Sequence, residues 1–352
     1  MKFKKLVNVL EQVGLRYAVI NGEHGGALVL LERGARVIGI YAEGEAENSL
    51  WVHPLLEDVR QAKTHFQDEQ HWNIGGDRTW VSPEVEFFIS NVEAFWDTYK
   101  VPAAIDPGAY VMSDGDFGRE EKSWSQSAAL FAYRSQLELD FHLQKKLRLV
   151  PDPLRFTSYN SSFGSYSYIG YELDIRLSIP AEAPSAPLSL WNLLQLPAGG
   201  EVRIPTYGQA DVTDFFAPTG PSHLKVTPGL VSFRLDAKEQ HKISIKAPFI
   251  TGRMGYMREG AEGEAYLLVR QFQVNPSADY PDVPADRLDD QGHCVQCYND
   301  SGELGAFGEM EYHSPALSIK SKDKELQDRS QIWCYNGKAA DIEVISGQLL
   351  GK

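Results

Sequence analysis

Short β-rich runs, each closed within a few residues by glycine, proline, asparagine or aspartate, recur along almost the whole chain. Residues 27–31 and 36–41 flank Glu32-Arg33-Gly34-Ala35 and read as a hairpin with glycine in its connection. Further runs cover residues 84–90, 128–139, 166–179, 229–235, 242–245 and 265–274, the last alternating well enough to be half-buried. Many short strands with frequent turn signals predict an all-β fold of antiparallel sheets. Residues 136–147 have helical composition but fit a polar strand equally well. One helix is expected, because Phe3, Leu6, Val7, Leu10 and Val13 repeat at helical spacing and Gly14 ends them.

The 352 residues do not force a division, since all-β units of roughly 200–250 residues fold as one domain. The expectation is a single domain over residues 1–352, with residues 180–187, three of them proline, the best linker. Strand-like sequence resumes at once at Leu188-Ser189-Leu190-Trp191. Residues 276–293 form a long polar loop, and loops of that length are often functional. Against 34 Lys and Arg stand 48 Asp and Glu, so the net charge of −14 repels a polyanion and no nucleic-acid partner is expected. No apolar stretch is long enough to span a bilayer, and Asn8, Glu11 and Gln12 interrupt any export core after the basic start. Three cysteines, an odd number, argue for reduced thiols and a cytoplasmic location. Aromatic residues make up 11% of the chain, which suits strands and also flat surfaces on which a sugar ring can stack.

The densest segment runs from His71 to Glu84 and holds Gly75-Gly76-Asp77-Arg78-Thr79-Trp80. Paired glycines permit positive φ or close backbone approach, so Arg78 can be aimed into a cleft from a tight turn. Its guanidinium fork could hold two hydroxyls or a carboxylate, with a Trp face beneath a pyranose. Equally, this could be a turn into an edge strand with Arg78 paired to Asp77 or Glu84. In Phe307-Gly308-Glu309-Met310-Glu311-Tyr312-His313, a strand would put Glu309, Glu311 and His313 on one face. That face is either solvated, on a wet edge strand, or a site with a carboxylate as general base. Trp191 is either core or a sugar platform.

His293-Cys294-Val295-Gln296-Cys297 contains one C-x-x-C without a second pair, short of the four ligands of structural zinc, so neither metal nor cofactor is expected. The remaining histidines are scattered and read as surface positions. Nucleophile-elbow, H-E-x-x-H, P-loop and dinucleotide-binding motifs are all absent.

Taken in order, these segments resemble the galactose-mutarotase-like superfamily of aldose 1-epimerase relatives. Gly34-Ala35-Arg36-Val37-Ile38-Gly39-Ile40 with Asn48-Ser49-Leu50-Trp51-Val52 is similar to its first hairpin. Gly75-Gly76-Asp77-Arg78-Thr79-Trp80 with Pro83-Glu84 resembles a Gly-Gly-x-Arg-x-Trp…Pro-Glu segment of a bacterial branch. Tyr298-Asn299-Asp300 and the segment from Glu309 to Ala316 resemble its C-terminal signature. The resemblance implies one antiparallel β-supersandwich of galactose-mutarotase type and a small carbohydrate as ligand. It implies Glu311 as the base at the anomeric centre, with Glu309 the lesser choice, and Arg78 as the sugar clamp. Asp77, Trp80, Glu84, Trp191, Asn299 and Glu309 complete the expected binding set. The family's histidine acid has no counterpart here: no Asn-His-x-His-Gly-Gly follows Arg78, and Trp191-Asn192-Leu193-Leu194-Gln195 lacks one. His71 and His313 are the substitutes. The alternatives are a sugar-binding protein without turnover and a polysaccharide lyase or glycoside hydrolase relative.

Overall fold

The computed structural model describes residues 1–44, 46–68, 71–115, 118–157, 164–183, 186–317 and 324–351. Its strands form two antiparallel sheets. The nine-stranded sheet runs β1 (Tyr17–Asn21), β2 (Ala27–Leu31), β3 (Arg36–Tyr41), β4 (Asp77–Ser82), β9 (Ser189–Pro197), β18 (Phe307–His313), β17 (His293–Asn299), β14 (His241–Lys246) and β11 (Val212–Asp214). The ten-stranded sheet runs β12 (Leu224–Thr227), β13 (Leu230–Leu235), β10 (Gly200–Pro205), β15 (Arg253–Glu259), β16 (Glu264–Phe272), β19 (Glu325–Lys338), β8 (Tyr166–Ser178), β7 (Leu137–Leu149), β6 (Gly118–Ala132) and β5 (Val111–Gly115). One continuous apolar core, with Leu194, Met310, Cys297 and Ile243 from the first sheet and Leu173, Leu268 and Ile332 from the second, fills the space between them.

Helices cover parts of the outer faces. The helix α1 (Phe3–Val13) lays Leu6 and Leu10 on Val29, Leu31, Ile38 and Tyr41. Each of those two leucines is fully buried, which stabilises the fold by about 1.5–3 kcal/mol. Near the other terminus, Ile342 and Ile345 of a helix at Ala339–Leu350 pack on Leu267, Val269 and Tyr335 of the ten-stranded sheet. Strands sandwiched in this way are buried on both faces, as β2 and β3 are throughout.

The hairpin expected at residues 27–41 and the N-terminal helix are present with those bounds. Residues 137–147 are strand and Gln136 belongs to the turn before it: Leu139, Phe141, Leu143, Lys145 and Leu147 are buried at every second position of β7. Their alternation outweighs the helix-forming polar residues between them. Residues 128–139 are two strands joined at a turn, with Leu130 opposite Leu139. The strand expected at 84–90 is a correction, since Glu84–Phe87 is a short helix. Glu84 opens this helix, and its N–H donates to Asp282 from a distant loop at 2.7 Å. The linker expected at 180–187 lies partly outside the described residues, and β9 begins two residues beyond it. No helix among the described residues is long and apolar enough to cross a membrane.

Candidate active site

The centre of the nine-stranded sheet is built by register. Arg78 on β4 lies opposite Leu193 on β9, Leu193 opposite Glu311 on β18, and Glu311 opposite Gln296 on β17. Glu309, one alternation away, lies opposite Tyr298, which lies opposite Lys242 on β14. Alternate residues in the neighbouring rows, Asp77, Leu194, Met310, Cys297 and Ile243, point into the core between the sheets. The row carrying Arg78 and Glu311 therefore faces away from the second sheet, onto a cleft of about 420 Å³. That volume is usual for a small-molecule site.

Eight aromatic side chains line the cleft. Trp80 and Trp191 form the floor, and Trp72, Trp96, Tyr99, Phe216, Tyr298 and Phe307 rise around it. Arg78 is 1% exposed, donates to Glu309 at 2.8 Å, and lies 4.3 Å from the Trp80 ring centre and 5.3 Å from that of Trp72. Its Nε and one terminal nitrogen are buried with no protein partner, so a ligand hydroxyl could take them. Lys242 pairs with Glu84 at 3.2 Å and sits 4.8 Å from the Trp191 ring. Glu311 accepts from the Trp191 indole N–H at 2.8 Å.

The turn that delivers Arg78 requires its glycines. Gly75 and Gly76 have φ of 101° and 92°. A Cβ on Gly75 would lie 2.3 Å from the Trp51 carbonyl oxygen, and one on Gly76 would lie 2.4 Å from that of Val37. The strand that follows is interior, between β3 and β9. Arg78 pairs across the cleft with Glu309 rather than with Asp77 or Glu84. β18 is interior too, so Glu309 and Glu311 are 6% and 1% exposed rather than on a wet edge.

Burial moves these groups strongly. The Glu311 carboxyl is raised to about 8, first by loss of water and then by Glu309 and Glu84, while Lys242 pulls it down. Burial also raises Glu84, which Lys242 opposes and Asp282 reinforces. Burial works against the charge on Lys242, but Glu84, Glu311 and Asp282 outweigh it, so the ammonium persists. Three buried carboxyls thus share the cleft with Arg78 and Lys242, with Lys100 exposed at its lining, and burial of the carboxyls retains a proton near neutrality.

Six of the ten residues singled out in the sequence meet here: Arg78, Trp80, Glu84, Trp191, Glu309 and Glu311. The other four do not line the cleft. Asp77 points into the core, bound to Arg270 and to the Tyr171 hydroxyl. His71 is on the surface, 3.5 Å from Asp68 and stacked on His65. His313 is fully buried behind Trp191, hydrogen-bonded to Ser82 at 2.9 Å, and burial lowers it to about 4. Asn299 braces the turn at residues 236–239. Sequence reasoning missed Lys242, Trp72, Tyr99 and Phe216, which come together only through long-range pairing and loop closure; the alternation of Lys242 with Ser244 was the one local signal.

The model of a family of unknown function (DUF6786) matches residues 1–352, and the chain belongs to that family. No curated protein matches the chain. Solved structures similar to it include the GalM/aldose epimerase homologue from C. elegans, at 10% identity, covering 92% of this chain and 99% of that one, with a TM-score of 0.42. Galactose 1-epimerase from Lactobacillus acidophilus NCFM is similar at 8% identity over 90% and 93%, with a TM-score of 0.41. HI1317 is similar at 10% identity over 90% and 91%, with a TM-score of 0.42.

Proposed function

We propose that this family member binds a small sugar in the aromatic cleft and interconverts its anomers, acting as one unit over residues 1–352. The observation that carries the reading is the cluster of Glu311, Glu309 and Glu84 against Arg78 and Lys242, walled by tryptophan. Anomeric exchange needs a base for the C1 hydroxyl proton and an acid for the ring oxygen, so that the C1–O bond opens to the aldehyde and closes on either face. Glu311 in its ionised form is the base. Glu84, whose carboxyl burial favours in the protonated state, is the acid that neither His71 nor His313 is positioned to supply. Arg78 holds ring hydroxyls through its unpartnered nitrogens, and Trp80, Trp191 and Trp72 offer apolar faces. Three cysteines, all buried and unbridged, favour a reducing compartment and support a cytoplasmic location.

Proton NMR of freshly dissolved α-hexoses tests this directly. The protein should speed the approach to anomeric equilibrium, and Glu311→Gln should slow it by about 10²–10⁴-fold. The wild-type rate should rise with pH through about 8, as Glu311 gives up its proton. Unchanged turnover in Glu311→Gln would remove that residue from the reaction. Sugar binding without conversion would favour the second reading, a binding protein, which the burial of neutral His313 behind Trp191 supports.

A further inference from the structure

Away from the cleft, at one margin of the sandwich, two histidines from different sheets come together. His223 directly precedes β12 of the ten-stranded sheet, and His241 opens β14 of the nine-stranded sheet. Their ring centres are 4.8 Å apart. One ligand atom each from His223, Glu239 and His241 lie within 4.8 Å of one another. We propose that these three side chains form a binding site for a divalent transition metal of the zinc class, which clips the two sheets together.

The donor chemistry fits. Two imidazoles and a carboxylate make a familiar zinc set with a fourth position left for water or a further carboxylate, and imidazole favours zinc, copper or nickel over magnesium and calcium. Asp236 supplies a second carboxylate, its Oδ1 3.1 Å from Nε2 of His223. Together Glu239 and Asp236 match the charge of a divalent ion.

An independent observation points the same way. His241 is 6% exposed, yet neither of its ring nitrogens has a hydrogen-bond partner, and Glu239 stands at 3.4 Å from Nε2. A buried imidazole with both nitrogens unfilled is costly, and coordination would use its lone pair. The site is reachable, because the Glu239 side chain is 72% exposed while His223 is 9% exposed.

The surrounding backbone is held in place. Asn299 accepts from the N–H groups of Asp236 and Ala237 at 2.9 and 3.0 Å and donates to the Glu239 carbonyl at 2.8 Å. The turn bearing both carboxylates is therefore built before a metal arrives, which limits the ordering cost of binding. Asn299, expected in the sequence to touch a sugar, is here a positioning residue.

The test uses the full chain, stripped with chelator and titrated with Zn²⁺ alone by calorimetry, with thermal unfolding in parallel. One Zn²⁺ should bind per chain and raise the melting temperature, and Co²⁺ in its place should show the visible absorption of a tetrahedral site. Glu239→Gln, whose exposed side chain makes folding a minor concern, should weaken binding at least about tenfold, and Asp236→Asn by about 10–100-fold. His241→Gln should abolish both binding and the thermal shift. Absence of Zn²⁺ binding, binding undiminished in Glu239→Gln and His241→Gln, or binding lost instead in Cys297→Ser would overturn the proposal.

Discussion

Asp77 and Arg78 are adjacent in the chain and serve opposite faces of one strand. On the inner face, Asp77 meets Arg270 and the Tyr171 hydroxyl, and Asp328 meets the Tyr312 hydroxyl and Asn192. Lys145 adds a second cation, donating to the Ala35 carbonyl. Two acids thus stand against two cations in a space closed by both sheets. On the outer face, Glu84, Glu309 and Glu311 stand against Arg78, Lys242 and the exposed Lys100, in a cleft open to ligand. The inner set matches its charges and braces one sheet against the other. The outer set carries three buried carboxyls and an arginine with unpartnered nitrogens, a condition that a fold would not favour for stability alone.

Removing one acid from each face should separate the two roles. Asp77→Asn leaves Arg270 buried without its countercharge, and should cost about 3–5 kcal/mol in denaturant unfolding. Glu309→Gln makes the same chemical change against Arg78, but the Trp72 and Trp80 ring faces stay beside the guanidinium. Its cost should be about 1.5–3 kcal/mol, while sugar affinity falls. Equal losses for the two variants would break the comparison. A third measurement follows stability against pH. Folding favours protonated Glu311, so its stabilising share is complete below the unfolded carboxyl value, about 4.3, and is lost as pH rises through about 8. Glu311→Gln lacks that loss. Its melting temperature should exceed that of wild type by a margin that widens from about pH 4 to about pH 8 and is constant above.

These faces were partly legible in the sequence. Once residues 307–313 are read as a strand, period-two alternation puts Glu309 and Glu311 together, and Gly75-Gly76 announces the positive φ that the structure contains. Pairing was not legible. The partner of Arg78 is Glu309, brought close because β9 lies between β4 and β18, and no local pattern states that order. Lys242 enters the site for the same reason, through β14 beside β17. The segment from Glu84 alternates like a strand, and becomes a helical turn because Asp282, far along the chain, accepts its first N–H. His223 and His241 show no ligand spacing, since their meeting depends on where the two sheets end.

The smallest expected effect is the most diagnostic for the outer face. Trp96 lines the cleft yet is 58% exposed, touching Phe95 at 4.7 Å and Phe216 at 5.1 Å between ring centres. A large aromatic side chain held at a rim contributes little to the core, so Trp96→Ala should change unfolding free energy by no more than about 0.5 kcal/mol. If the rim receives a sugar, the same variant should weaken binding by about 0.5–1.5 kcal/mol, a few-fold to about tenfold in Kd by titration calorimetry. Loss of affinity at constant stability would place ligand contact on the outer face. Loss of stability at constant affinity would make the aromatic rim another brace, and the two faces of β4 would then differ in charge but not in purpose.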